Sequence, residues 1–316
     1  MSKEKNKAKE DMTDSKIKKT PAGVKKKSGK KNSVPNKRVN LGDMAEGNGT
    51  IGENQTRDKG EMILSVVIPA YKEEKRIGNT LLSLDKYLSP LGFNYEIIVV
   101  IDGSPDNTFS VVEKYQKMIK NLSIINNPEN HGKGYVVRQG LLAAKGAYRL
   151  FMDADNSVTI NQMESFSPHF EDKSVGIVIG SRDIKGADVK KHQPFWKELL
   201  GNMGNFAIRL VTGLWGIPDT QCGFKILTAE ATELVCPLMM VNRFGFDFEM
   251  LVLMKKLGFK IKEAPVVWIN DEATTVTLFG PNGYIRVLWD LFRLRINLWT
   301  GKYDVKGALE KKNTLK

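Results

Sequence analysis

Cysteine is nearly absent from the 316 residues: only Cys222 and Cys236 occur, alongside three histidines. Neither cysteine belongs to a CxxC pair or a His cluster, so no disulfide framework or structural zinc site is indicated, and a reduced, cytosolic setting fits. Long apolar runs are missing as well. No stretch reaches the roughly 18 uncharged apolar residues of a membrane span, so any membrane contact is expected to be peripheral, with no transmembrane helix. Aromatic residues are absent before Tyr71. Without them and without hydrophobic periodicity, the N-terminal stretch cannot bury enough surface to offset chain entropy.

That stretch is where the charge is. Residues 1–60 hold 16 Lys and Arg against 8 Asp and Glu, which is +8 of the formal +12. They are expected to form a disordered basic tail. By charge alone such an arm suits nucleic acid or anionic lipid, the latter at about 1 kcal/mol per basic side chain near the surface, or it serves only solubility. No apolar segment follows the charges, so the tail does not read as a signal peptide. The rest of the chain is globular in composition, with 41% hydrophobic residues overall.

From Leu64 onward the sequence alternates strand and helix. Short β-branched runs predict strands at 65–71, 95–101, 123–126, 147–152 and 174–180, with a further strand in KIKEAPVVWI (260–269). Between them, Ile77, Leu81, Leu84 and Leu88 recur at helical spacing, and further helices are expected over about 108–120 and 134–144. The pattern implies an α/β fold: a mostly parallel, Rossmann-like sheet with helices on both faces. Ligands of such sheets bind beyond the carboxyl ends of the strands. Three strands end there in PAYKEE (69–74), DGSPDN (102–107) and DADNS (153–157).

In the last of these, Asp153 and Asp155 are one residue apart. If the strand continues through them they share a face and repel unless a cation lies between them, which points to a hard divalent metal; the competing reading is a polar turn. NHGKG places Lys133 between two glycines at the start of a predicted helix. There the backbone approaches closely and the helix N-terminus favours anions.

PAYKEEKRI, VIDGSPDNT, NHGKGYVVRQG, MDADNS and GSR, in this order and spacing, resemble glycosyltransferase family 2 with its GT-A fold over about residues 62–230. DTQCGFKIL (219–227) and FGFDFEML (244–251) further resemble the dolichyl-phosphate glucosyltransferases within that family. The resemblance implies that Pro69, Tyr71, Glu73 and Asp102 line a base and ribose pocket, that Lys133 meets a phosphate, and that Asp153 and Asp155 hold Mg²⁺ or Mn²⁺, chiefly through Asp155. It implies Arg182 and Lys225 as cations for the phosphate of a lipid acceptor. Asp219, Asp247 and Glu249 are either acid/base or positioning groups, or else cap and ion-pair partners. The sequence departs from the family pattern at Ile101, where a second acid is usual, and at NDEATTVTLFG (270–280), where a Gly-Ser-Lys turn is usual.

The implied activity is inverting transfer of a sugar from a UDP-sugar, foremost UDP-glucose, to a dolichyl or polyprenyl phosphate, peripherally at the cytoplasmic side of a membrane surface. No nucleic-acid partner is expected. The rivals are a hydroxyl acceptor, a GDP-mannose or UDP-N-acetylhexosamine donor, or a non-catalytic nucleotide-sugar-binding tether. Two amphipathic helices offer lipid access or core packing. One carries Trp196, Leu199, Leu200, Met203, Phe206, Leu210, Leu214 and Trp215. The other carries Ile285, Leu288, Phe292, Ile296 and Trp299, with Arg286, Asp290, Arg293 and Asn297 gathered apart. The expected division is a tail at 1–60, a GT-A domain at 61–282, and a C-terminal amphipathic helix and tail at 283–316.

Overall fold

The structure, a computed structural model, describes residues 62–189, 206, 208–269 and 284–314. The expected basic tail, most of the first amphipathic helix and the 270–280 segment lie outside the described residues.

β-Branched runs become a seven-stranded sheet. In chain order its strands are β1 (Met62–Ala70), β2 (Asn94–Asp102), β3 (Leu122–Asn127), β4 (Tyr148–Met152), β5 (Val175–Ser181), β7 (Phe224–Thr228) and β8 (Lys260–Pro265). The spatial order is β3-β2-β1-β4-β7-β5-β8. β1 pairs in parallel with β2 on one side and β4 on the other, so the strand order reverses direction there and opens a crevice at the carboxyl ends. A separate short parallel pair joins β6 (Asp188–Val189) to β9 (Val267–Trp268).

Two departures from the sequence reading matter. β7 was not anticipated, and it runs antiparallel to both β4 and β5. The 260–269 run breaks after Pro265, and its last residues leave the main sheet as β9.

Alternation along each strand separates two cores. Leu64, Val66 and Ile68 pack with Ile77, Leu81 and Leu84 of α1 (Ile77–Leu88) and with Val112 of α2 (Thr108–Gln116). Val67, Ile98 and Val100 face the other side, against Val136, Val137 and Leu141 of α3 (Lys133–Ala143). Each such buried aliphatic side chain contributes about 1.5–3 kcal/mol. α3 lies close on the sheet because Gly140 has no side chain; a Cβ there would sit 2.4 Å from Val67 Cγ1. The second core extends over α4 (Ala229–Val235), α5 (Phe246–Lys256), α6 (Tyr284–Trp299) and the segment around Tyr303 that precedes α7 (Val305–Thr314).

α6 does not bury its most apolar stripe. Asp290, Leu291, Leu294 and Asn297 face the protein, while Leu288, Trp289, Phe292 and Trp299 are each more than half exposed. The polar grouping expected from the sequence is therefore split, with Arg286 and Arg293 outside and Asp290 and Asn297 inside. Of the first amphipathic helix, 208–212 is helical; Ile208 and Leu214 are buried, whereas Phe206, Leu210 and Trp215 are exposed.

Candidate active site

The loops after β1 and β2 are knitted together at the crevice. Ser104 and Thr108 both donate to Asp106 Oδ1 at 2.6 Å, and the amide of Lys72 donates to Ser104 Oγ at 2.7 Å. Burial would raise the Asp106 carboxyl, but these hydrogen bonds outweigh it and hold it below the usual range. Pro69 is buried near the end of β1, and Tyr71 follows it with 41% of its surface exposed. The Glu73 carboxylate accepts from Arg76 at 2.8 and 2.7 Å. Burial pushes its carboxyl up, Arg76 opposes, and the nearby Asp155 and Asp153 add to the rise. Glu73 thus stands beside the paired aspartates.

Asp102 behaves differently from expectation. It is 3% exposed, and its oxygens accept from Asn130 Nδ2 (2.9 Å), the His131 amide (2.7 Å) and the Gly132 amide (2.9 Å). Instead of opening onto a base, Asp102 shapes the turn that presents Lys133. That turn needs glycine at 132, where φ is +104° and a Cβ would lie 2.5 Å from the Asn242 carbonyl oxygen.

Lys133, the first residue of α3, reaches Asp153 Oδ1 at 2.6 Å. Burial alone would lower the ammonium pKa, but Asp153, Asp247 and Asp155 around it raise it above the ordinary lysine value. Asp153 and Asp155 lie beyond the end of β4, in the turn that the sequence left as the alternative to a continued strand. Asp155 Oδ1 accepts the Ser157 amide at 2.9 Å, and Thr80 Oγ1 pins the intervening Ala154 carbonyl at 2.6 Å. Gly223 backs Asp153 so tightly that a Cβ would come within 2.0 Å of Oδ2.

The ammonium held by Asp153, with the Asp155 charge nearby, shows that the cluster accepts a cation, so its chemistry fits a divalent ion. Among the described residues no group of three or more His, Cys, Asp or Glu is arranged to hold a metal. Asp153 and Asp155 are the residues that would hold a Mg²⁺ or Mn²⁺ there.

Arg182 follows β5 and grips Asp219 in a fork: Nε to Oδ2 at 2.7 Å, Nη2 to Oδ1 at 2.9 Å, and the Arg182 amide to Oδ2 at 3.1 Å. Burial would raise the Asp219 carboxyl, but Arg182 outweighs it and holds it below the usual range. The guanidinium also lies 5.4 Å from the Trp268 ring centroid and retains 30% side-chain exposure. Lys225 does not share this position. It is fully buried on β7, where it donates to Asp247 Oδ1 and lies 5.0 Å from the Phe151 ring centroid. The expectation that Lys225 meets an acceptor anion gives way to a core ion pair, because the antiparallel β7 carries it between sheet and α5. Burial pushes the Asp247 carboxyl up, against the pull of Lys225 and Lys133.

The result is an alternation of charge, Lys225, Asp247, Lys133, Asp153, running from the core to the crevice. Arg182 with Asp219 forms a second ion pair, beyond β5, with the guanidinium partly exposed. Sequence reasoning missed Asp106, Trp268 and Tyr303. Asp106 was legible as an Asx-type turn in DGSPDN; the others come from distant segments.

Comparison with known proteins identifies the family and the fold. The family model described as "Glycosyl transferase family 2" matches residues 65–235. Dolichyl-phosphate beta-glucosyltransferases are similar to the chain: one from Trichomonas vaginalis is 34% identical over 256 residues, 77% of each protein. The protein of that name from Dictyostelium discoideum is 33% identical over 77% of each, and that from Saccharomyces cerevisiae 31% over 79% of each. Among solved structures, Mycobacterium tuberculosis glucosyl-3-phosphoglycerate synthase in complex with Mn²⁺, UDP and glucosyl-3-phosphoglycerate has a TM-score of 0.55 at 19% identity, covering 77% of this chain and 86% of that one. Mannosyl-3-phosphoglycerate synthase from Rubrobacter xylanophilus has a TM-score of 0.57 at 16% identity, covering 77% and 76%. At these identities the structures establish the shared GT-A fold.

Proposed function

The chain belongs to glycosyl transferase family 2, and from that premise we propose that it moves glucose from UDP-glucose to dolichyl phosphate at the cytosolic face of a membrane. It is a glycosyltransferase; the donor, acceptor and placement are the proposal. The observation that carries the acceptor assignment is that all three candidate bases are engaged, Glu249 by the Met240 and Val241 amides and the Tyr303 hydroxyl. A hydroxyl acceptor must lose a proton as it attacks and needs a general base. Asp219 is locked to Arg182 and Asp247 to Lys225. A phosphate monoester, with a second pKa of about 6, is mostly dianionic at neutral pH and needs none.

In this reading a phosphate oxygen of the acceptor attacks the anomeric carbon on the side opposite UDP. The new C–O bond forms as the bond to the β-phosphate oxygen breaks, configuration inverts, UDP departs with the electron pair, and no proton moves. Lys133 faces the departing diphosphate. Arg182 offers the exposed part of its guanidinium to the acceptor phosphate, while Asp219 and Trp268 fix its plane. Tyr71 has an aromatic face open to a uracil, and Pro69 and Glu73 border it. Asp153 and Asp155 would hold Mg²⁺ or Mn²⁺, which when bound supplies Lewis acidity to the leaving diphosphate.

No helix among the described residues is long and apolar enough to cross a membrane. α6 instead presents Leu288, Trp289, Phe292 and Trp299 to solvent, with Arg286, Arg293 and Arg295 exposed beside them. Such a face suits the boundary between head groups and acyl chains. The test is incubation of the purified protein with dolichyl phosphate in vesicles, Mg²⁺ or Mn²⁺, and radiolabelled UDP-glucose, GDP-mannose or UDP-N-acetylglucosamine in parallel. Acid-labile lipid-linked label from UDP-glucose alone is the expected result. Label from another donor, or label only on a hydroxyl acceptor, overturns the assignment.

A further inference from the structure

α5 carries a second buried carboxylate that the reaction does not use. Glu249 is 0% exposed, yet it lies two residues from Asp247 on the opposite side of the helix. Oε1 accepts the Met240 amide at 2.9 Å and the Tyr303 hydroxyl at 2.6 Å; Oε2 accepts the Val241 amide at 2.9 Å. A carboxylate so engaged and so buried has no route to a substrate. Its two backbone partners belong to the 239–243 loop, and that loop leans on the Lys133 turn.

The contact is backbone on backbone. The Tyr135 amide donates to the Asn242 carbonyl at 3.0 Å. A Cβ at Gly132 would come within 2.5 Å of the Asn242 carbonyl oxygen, and one at Gly134 within 2.6 Å of the Val241 carbonyl oxygen. Arg138 of α3 closes the same junction by donating to the Met239 carbonyl, with Nη2 3.4 Å from Asn242 Oδ1. There is no slack between loop and turn, so displacement of residues 240–242 must move Gly132 and Gly134, and Lys133 with them. Asp102 holds the turn from the other side through the His131 and Gly132 amides. The turn is therefore gripped between two buried carboxylates.

Tyr303 brings the C-terminal segment into the grip. It is 5% exposed, and Asn297 of α6 adds a contact from Nδ2 to Met240 Sδ at 3.8 Å. We propose that Glu249 is a positioning residue for donor binding: with Tyr303 it seats the 239–243 loop against the Gly132–Gly134 turn and so fixes where Lys133 meets the diphosphate. This rests on the reading of Lys133 as the partner of the donor diphosphate. It adds that the C-terminal segment bearing the exposed apolar stripe is part of donor-site construction.

The test uses the full chain and compares Lys133→Met, Glu249→Gln, Tyr303→Phe and the two doubles with Lys133→Met. UDP affinity is read by calorimetry with Mg²⁺, and KM and kcat for UDP-glucose by transfer assay. Tyr303→Phe removes one hydroxyl and decides the question if Glu249→Gln does not fold. Lys133→Met should weaken UDP binding, and each partner variant should weaken it and raise the donor KM about tenfold, the effect of one charge-assisted hydrogen bond. In the two partner variants the acceptor KM should stay within about twofold, and the doubles should be no weaker than Lys133→Met alone, because coupled groups are non-additive. If Lys133→Met is weakened but Tyr303→Phe is silent, or the losses add in full, the grip is wrong while the donor reading stands. If Lys133→Met binds UDP like the unaltered protein, the donor reading falls and the grip falls with it.

Discussion

Lys225→Met separates a ligand from a core residue. The lysine is 0% exposed, its ammonium donates to Asp247, and it lies 5.0 Å from the Phe151 ring centroid. Met keeps the length of the stem, so the cavity cost is small and the loss is ionic. Removing one member of a buried pair costs about 3–5 kcal/mol, because the other charge is left uncompensated. Asp247 retains the attraction of Lys133, and burial already pushes its carboxyl up, so it can take a proton. Both effects place the cost at the lower end, about 3 kcal/mol. At about 2–4 °C per kcal/mol for a domain of this size, Tm should fall by about 6–12 °C. Thermal melts followed by circular dichroism measure this directly. Lys225→Met/Asp247→Asn, which removes the orphaned charge, should recover roughly half the loss. A Lys225→Met protein that melts within about 2 °C of the unaltered one but loses acceptor affinity would falsify the core assignment and return Lys225 to the anion site.

Three further outcomes are expected. Asp155→Ala, and EDTA added to the unaltered enzyme, should each abolish transfer with the melt unchanged; full activity after chelation sinks the metal assignment. Arg182 holds the Asp219 carboxyl below its usual range against the opposing effect of burial. A depressed folded-state value contributes stability that is complete above the unfolded value of about 3.9 and is lost as pH falls through the folded one. Stability should therefore drop on acidification below about pH 4, and Asp219→Asn should flatten that limb; an unchanged limb in the variant refutes the linkage. Vesicle binding at about 1 M salt, where the Debye length is about 3 Å, should survive removal of residues 1–60 and be lost when Trp289, Phe292 and Trp299 are replaced by Ser. The reverse pattern assigns attachment to the basic tail.

The strands and their helices were legible because β-branched runs and helical spacing are local signals. The predicted 95–101 and 123–126 became Asn94–Asp102 and Leu122–Asn127. β7 was hidden because FKILT is short and lies inside a stretch that reads as a motif; its antiparallel pairing with β4 and β5 is a long-range fact. The same strand explains the misplacement of Lys225. A lysine after Cys-Gly-Phe looks like a ligand until the register Phe151↔Lys225 puts it between sheet and α5. Asp153 and the turns after β1 and β2 lie at the strand ends, since carboxyl-terminal loops of a parallel sheet converge whatever their sequence. The long-range pairings were illegible, because Asp219 is 37 residues from Arg182 and Tyr303 is 54 from Glu249.

FGFDFE makes the same point from the energetic side. On an amphipathic surface helix the first turn is a natural place for acids, since they complement the helix dipole at little cost in burial. Here Asp247 and Glu249 are both in the first turn of α5, and both are buried. Two residues of helix turn the side chain by about 200°, so the pair cannot serve one site. Each must have its own donors, or the desolvation of a carboxylate would exceed what one helix N-terminus can return. Asp247 has Lys225 on the sheet side, and Glu249 has two amides and a phenol on the other. Motif reading leaves both acids between chemistry and ion pairing; their burial and separate donors suit opposite supports of one lysine, Asp247 through charge and Glu249 through the backbone it holds.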